Sequence, residues 1–390
     1  MPRAIKCSDL FAETQLFSQG IEAGEFIFLA QDSRGADGTL GAHRTAAEQA
    51  RQTLVHVAAT LNRAGLSLDD LVALSAFIPQ YADADDVAAV LRSTLPNQGP
   101  AVIFAGVCGL DGDCRVRMDV IATTSKEREA ILISDLPMSI GARCHGIRVG
   151  DLFFLSGVDS AERDGRPDGQ PAIQSQTKEV LTRMGRILDQ QKLGLGNLCR
   201  TFMFIPGTQY RPGYGEARRE IYQGIFPEDR FPPNSGIYIR DLGSDILLRS
   251  MAIAYRGKQT IVTSPEVRLA PGSFSQSARV GDWLWLAGQD AVTFDRAVEA
   301  EGSLSGQTRA TLRHTRDIVE AAGGTLNDIV KTTVYLIEGL ERAEFAAAYS
   351  EFFTTQTKSA TMPAGLTVEV QELSPGCLVE IDSIAYLGKK

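Results

Sequence analysis

"SFSQSARVGDWLWLA", residues 273–287, decides the fold, because nearly the same phrase stands twice more in the chain: "LFSQGIEAGEFIFLA" at 16–30 and "RCHGIRVGDLFFLS" at 143–156. The phrase aligns on Phe17, Arg143 and Phe274, in steps of 126 and 131 residues. Each copy passes through a Gly-acid pair (Gly24-Glu25, Gly150-Asp151, Gly281-Asp282) into an apolar run of strand length. Such pairs suit a tight hairpin turn. A chain of 390 residues is also too long for one ordinary hydrophobic core. A repeat of this period therefore predicts three domains.

Other landmarks keep the same step. Gln49, Gln176 and Gln307 open stretches with apolar residues at helical spacing and charges between them, the pattern of amphipathic helices. A short strand follows each ("LVALSAFIP", "LCRTFMFIP", "IVKTTVYLIE"), then a second helix ("DVAAVLRSTL", "GEARREIYQGIF", "EFAAAYSEFF"). A strand led by Pro100, Pro232 or Pro363 and a last strand of alternating character complete the unit. Each unit reads β-β-α-β-α-β-β, an α+β sandwich with two helices on one face of a mixed sheet. The polar links "SKERE" and "GKQT" place the domains at 1–126, 127–259 and 260–390.

With 44% hydrophobic and 22% charged residues, the composition is that of a soluble globular protein, and no apolar run approaches the roughly 18 residues that cross a bilayer. The N-terminus lacks the apolar stretch of a secretory signal, so a cytoplasmic location is expected. Six cysteines without a C-x-x-C spacing read as reduced thiols. The formal charge of −9 opposes binding to nucleic acid, which requires Lys and Arg to displace condensed counterions. A local cationic pocket for a small anion remains compatible with it. His43, His56 and His314 are isolated, and without H-x-x-H or paired Cys spacing no metal site is expected.

The third repeat, with "SFSQSARVGDWLWLAGQ", "EAAGGTLNDIVKTTVYL", "FAAAYSEFF" and "LVEIDSIA", resembles the Rid family, and the resemblance runs through the whole chain three times. It implies a chorismate-mutase-like fold for each repeat and an intramolecular pseudo-trimer, with ligand clefts between neighbouring repeats. It also implies cofactor-independent hydrolysis of reactive enamines and imines to ketoacids and ammonia. The family's carboxylate-gripping Arg in a "P-A-R-S" strand falls, in this chain, on Val102, Asn234 and Gly365. The usual clamp is therefore absent from all three clefts. The opening aromatic maps to Phe17, Arg143 and Phe274, the strand-end Ser to Ala30, Ser156 and Ala287, and the last-strand Glu to Arg117, Arg249 and Glu380.

From these positions the candidate catalytic residues are Glu380, to position or deprotonate water, Ser156, as a hydrogen-bond partner, and Arg249, as an oxyanion holder. Arg143, Arg219, Tyr214 and Tyr238 are the substrate-binding candidates; if Arg143 and Arg249 converge they make one anionophilic cleft, and otherwise the candidates belong to different clefts. "GTQYRPGYGE" reads as a loop bordering a pocket or as a plain turn. Cys144 and His145, as strand neighbours, point to opposite faces, so a buried thiol beside an exposed imidazole is expected rather than a nucleophile pair. Three functions compete. The first is a Rid-like hydrolase of the C–N bond in a small carboxylated imine, enamine or amide. The second is a chorismatase-like enzyme acting on a cyclic dicarboxylate. The third is a non-catalytic module that binds a small anion or a partner. The assembly is expected to be a single-chain pseudo-trimer or a higher assembly of it.

Overall fold

The hairpin glycines take the backbone their positions demand: Gly24, Gly150 and Gly281 have φ of +52°, +55° and +56°, a region closed to most residues with a Cβ. The computed structural model describes residues 2–10, 16–162, 172–227, 230–243, 245–269, 274–357 and 361–388. In the first repeat β1 (Arg3–Ile5), β2 (Gly20–Ala23) and β3 (Phe26–Gln31) lead into α1 (Ala46–Asn62). Next come β4 (Leu71–Ile78), α2 (Ala84–Thr94), β5 (Ala101–Gly106) and β6 (Arg117–Thr123). The second repeats the order with β7 (Arg128–Ile131), β8 (Gly146–Val149), β9 (Leu152–Leu155), α3 (Ile173–Asp189), β10 (Leu198–Ile205), α4 (Arg211–Tyr222), β11 (Asn234–Tyr238) and β12 (Arg249–Tyr255). The third has β13 (Thr260–Val262), β14 (Ser277–Val280), β15 (Trp283–Leu286), α5 (Leu304–Ala321), β16 (Ile329–Ile337), α6 (Arg342–Gln356), β17 (Ala364–Val370) and β18 (Val379–Tyr386).

Each sheet has six strands in one order, β1-β2-β3-β6-β4-β5 and its two equivalents, antiparallel except for the last pair (β4/β5, β10/β11, β16/β17). The parallel pair is the one joined through a helix, as a crossover requires. One strand per unit goes beyond the sequence reading. β1, β7 and β13 are only three or four residues long, too short to carry a periodicity.

The repeated glutamine has a definite task. Gln49, Gln176 and Gln307 are buried in the first helix of each unit, and each accepts from a backbone N–H just before or at the last strand: Arg115 at 2.7 Å, Leu247 at 2.8 Å and Leu378 at 2.7 Å. The same amides donate back to backbone carbonyls, those of His43, Asp245 and Gly376. A side-chain amide carries both an acceptor and a donor, so one side chain satisfies both backbone groups.

The quoted apolar runs are buried on both faces, and alternation sorts their residues. Ile27 and Leu29, Phe153 and Leu155, and Leu284 and Leu286 face the helices of their own repeats. Phe26, Phe28, Leu152, Phe154, Trp283 and Trp285 meet in one core shared by all three sheets. There Phe26 lies 5.5 Å from Phe154 and 5.3 Å from Trp283, edge to face.

Charges also cross between the inner faces. Arg200 of β10 pairs with Asp382 of β18, and Lys331 of β16 pairs with Asp119 of β6 at 2.6 Å; all four are buried. The third equivalent pairing, between the first and second repeats, is apolar: Ala73 and Met251 occupy the register positions. A buried pair costs more to break than it contributed. Lys331→Ala, which strands the Asp119 carboxylate, is expected to lower the unfolding free energy by about 3–5 kcal/mol. Adding Asp119→Met, which copies the natural apolar pairing, is expected to recover most of that loss; urea unfolding of both variants checks it.

Candidate functional site

Each parallel edge strand meets the opening strand of the next repeat in cyclic order. Ser275 N donates to Phe231 O and Ser18 N to Pro363 O, both at 2.9 Å, while the Cys144 thiol reaches Gly99 O at 3.2 Å. These are three equivalent junctions, and the register shows why they differ. Leu74, Thr201 and Thr332 pair with Val102, Asn234 and Gly365, so the next outward positions on the same face are Phe104, Gly236 and Thr367.

Two junctions are filled. Between the third and first repeats, Phe17 occupies the space of a side chain at 365: a Cβ on Gly365 would come within 2.7 Å of its ring. Beside it, Arg34 binds Asp32 and Asp111, each at 2.6 Å. Between the first and second repeats, Phe104 presses on Gly141, where a Cβ would approach it to 2.4 Å. Arg249 fills the rest. It binds Asp159 at 2.8 Å, Tyr81 Oη at 2.5 Å, and the carbonyls of Phe104 and Leu242.

The junction between the second and third repeats is open. Gly236 stands where Phe104 stands, and a cavity of about 390 Å³ remains. Met203, Asn234, Tyr238 and α4 form one wall; Phe274, Gly288, Asp290, His314 and Glu380 form the other. Gly288 makes room for the acid, since a Cβ there would fall 2.0 Å from the Glu380 carboxyl. Burial, then the nearby Asp290 and Asp382 carboxylates, push the Glu380 carboxyl well above the usual range; Arg200 and Arg211 oppose this without reversing it. Burial and the neighbouring carboxylates both favour the protonated form of Glu380. Burial likewise pushes the Tyr238 hydroxyl up to about 12, so it stays a donor.

The cations come from α4. Arg218 is buried, its guanidinium 3.9 Å from the Phe274 ring centroid, with Tyr214 and Phe231 each at 5.3 Å. Arg219 stands exposed at the rim. Arg211 lines the cavity and makes no hydrogen bond or ion pair with described residues, while its charge acts on Glu380 and Tyr238. Asn234, at the family's clamp position, uses Oδ1 to accept from Thr201 at 2.8 Å, leaving its amide N–H groups for the cavity. The Ser275 hydroxyl lines the same space, buried and without a partner among the described residues.

The structure thus gathers Glu380, Arg219, Tyr214 and Tyr238 in one cavity and places Arg143, Ser156 and Arg249 elsewhere. Arg143 and Arg249 do not converge. Arg143 binds the carbonyl of Arg92 and, at 2.6 Å, Asn97 Oδ1, closing the end of α2. Ser156 sews two repeats together, donating to Cys144 O at 2.7 Å and accepting from Val102 N at 3.3 Å. The partner of Arg249 is Asp159 of its own repeat rather than Glu380. Cys144 and His145 do face opposite ways, but the imidazole is buried, accepting from Ile133 N at 3.1 Å, and burial lowers its pKa. Arg211 opens α4 rather than lying in a loop; Pro212 within its first turn was the available signal.

A family model described as endoribonuclease L-PSP matches residues 8–124 and 266–387. The chain belongs to this family, read above as Rid. The second repeat of this Rid-family chain, outside the matched segments, has the same strand order as its neighbours. A RutC family protein of Pyrococcus horikoshii is 36% identical over 115 residues, 30% of this chain and 87% of that protein. A 2-iminobutanoate/2-iminopropanoate deaminase of Salmonella typhimurium is 38% identical over 116 residues, 30% of this chain and 88% of that protein. A crystal structure of a chorismatase superposes over 93% of this chain and 100% of its own, with a TM-score of 0.60 and 12% identity, a likeness of fold. Three tandem Rid domains in one chain are thus established. No described helix is long and apolar enough to cross a membrane.

If Gly236 keeps the cavity open, Gly236→Phe fills it as Phe104 fills its own junction. The expected outcome is that any thermal shift a small carboxylate such as 2-oxobutanoate gives the native chain is lost in the variant, with the melting temperature of the unliganded chain close to native.

Proposed function

We propose that the chain is a cofactor-independent hydrolase of the C–N bond in a small carboxylated imine, enamine or amide, acting in the junction between the second and third repeats. One observation carries the reading: that cavity combines Arg211, an arginine without a hydrogen-bond or ion-pair partner among the described residues, with a buried acid, Glu380, whose environment favours its protonated form. The deaminase relative supports the C–N chemistry. In this reading the Arg211 fork takes over the substrate carboxylate from the missing family arginine. The Asn234 amide and the Tyr238 hydroxyl add uncharged donors. Glu380 protonates the nitrogen as water adds to the carbon, and protonation of that nitrogen is what makes an imine electrophilic.

Arg211→Ala is expected to raise KM for 2-iminobutanoate about 10- to 100-fold, the worth of a charge-assisted hydrogen bond; steady-state ammonia release measures it. Glu380→Gln is expected to lower kcat by about 100-fold or more. The pH dependence follows from the sign of the shift. Turnover needs the protonated acid, so it falls as pH rises through the raised pKa. Folding follows the same direction: the folded chain holds this proton where the unfolded chain, near about 4.3, has released it. The group's contribution to stability is full below the unfolded value and is lost as pH rises through the folded one. Glu380→Gln should therefore gain in melting temperature over the native chain as pH increases, which parallel melts across pH will read.

A second reading, a chorismatase-like enzyme on a cyclic dicarboxylate, is favoured by cations on both walls: Arg211 and Arg219 from α4, and Arg268 from the third repeat. Pyruvate release from chorismate, against ammonia release from imines, separates the two. A panel that yields neither product leaves the anion- or partner-binding module.

A further inference from the structure

The tenth residue after the start of each unit's first helix is His56, Arg183 or His314. All three hold the backbone carbonyl of an equivalent aspartate at the end of the opening strands. His56 Nδ1 lies 2.8 Å from Asp32 O, Arg183 Nη1 3.1 Å from Asp159 O, and His314 Nδ1 2.9 Å from Asp290 O. A carbonyl only accepts, so the histidine Nδ1 carries hydrogen, and in the neutral ring Nε2 is then the bare, basic nitrogen.

What happens to the far end of the side chain differs, and a second helix position decides it. Four residues before His56, Gln52 takes up Nε2 at 2.7 Å. Four residues before Arg183, Glu179 pairs with Nε at 2.5 Å. Four residues before His314 stands Ala310, fully buried, with nothing to offer. His314 is also the one of the three that lines the open cavity, on the wall with Asp290 and Glu380. Its Nε2 has no hydrogen-bond partner among the described residues.

We propose that His314 is the general base of this site, taking a proton from the attacking water through Nε2 while Glu380 serves as the acid. This rests on the hydrolase reading above and adds to it the residue that activates water. The step balances with no further reagent. Water oxygen bonds to the C=N carbon, its proton passes to His314 Nε2, and the π pair moves to nitrogen, which takes the Glu380 proton. In collapse, the His314 proton passes to the departing nitrogen, the C–N bond breaks to release ammonia, and the hydroxyl proton returns to Glu380 as the ketone forms. Both side chains end as they began. The hydrogen bond that Nδ1–H donates to Asp290 O fixes the tautomer this needs. The charged groups of the third repeat that line the cavity with His314 are Arg268, Asp290 and Glu380, with Arg268 and Asp290 already paired at 3.6 Å, and Arg211, Glu216, Arg218 and Arg219 line it from α4.

The test is His314→Asn in the full chain, because an asparagine amide N–H can keep the bond to Asp290 O while supplying no base. With 2-iminobutanoate generated in situ, kcat is expected to fall about 100-fold or more. KM should stay within about threefold, the melting temperature should hold, and added imidazole should restore part of kcat. A variant with native kcat, or one whose loss follows a lowered melting temperature and is not rescued by imidazole, overturns the assignment and leaves the hydrolase reading standing. A native chain that releases no ammonia from imines, enamines or amides overturns the reading and the assignment together.

Discussion

No sheet in this chain can be buried alone. The opening strands alternate side chains between their own helices and an inner face, and the inner face of each repeat is aromatic: Phe26 and Phe28, Phe154, Trp283 and Trp285. An isolated repeat would leave that surface in water, together with Arg200, Lys331, Asp119 or Asp382, charges that find partners only in a neighbour. The hydrophobic gain and the compensation of buried charge both require the trio to close. The three junctions, filled or open, follow from that closure.

Within the closed trio the junctions have diverged in opposite directions. At one, Phe17 against Gly365 fills the floor; at another, Phe104 and the Arg249–Asp159 pair do so. At the third, glycines at 236 and 288 withdraw side-chain volume, while α4 brings in Arg211, Arg218 and Arg219 where α2 has Arg92 alone beside Asp85 and Asp86. The last-strand position shows the contrast. Arg117 and Arg249 lie near the conserved-register aspartates Asp32 and Asp159, at 3.8 Å and 2.8 Å. Glu380 faces Asp290 instead, and repulsion between carboxylates adds to burial in holding its proton.

Much of this was legible in the residues. The phrase repeated at 17, 143 and 274 gave the domain count, and the glycine turns and the recurring glutamines marked positions with fixed backbone tasks. Glu380 and Arg219 were found by carrying family positions over from the Rid resemblance. Arg143 and Arg249 misled because a strand arginine reads the same whether its fork meets a ligand, a helix end or a buried aspartate, and only the neighbour's packing distinguishes these. Arg211 and His314 were under-read for a related reason. A guanidinium and an Nε2 without partners among the described residues are defined by what is missing around them, Gln52 being replaced by Ala310, and absence has no motif.

The open cavity takes its described lining entirely from the second and third repeats, while the first repeat touches both of them along the shared core and through Asp119. The first repeat is in effect a built-in scaffold subunit. A symmetric trimer repeats every substitution at three sites at once, so an improvement in one pocket is also a change in the frame. Here the frame and the pocket are written in separate stretches of one chain, and selection on the pocket's chemistry can proceed without touching the sequence that braces it.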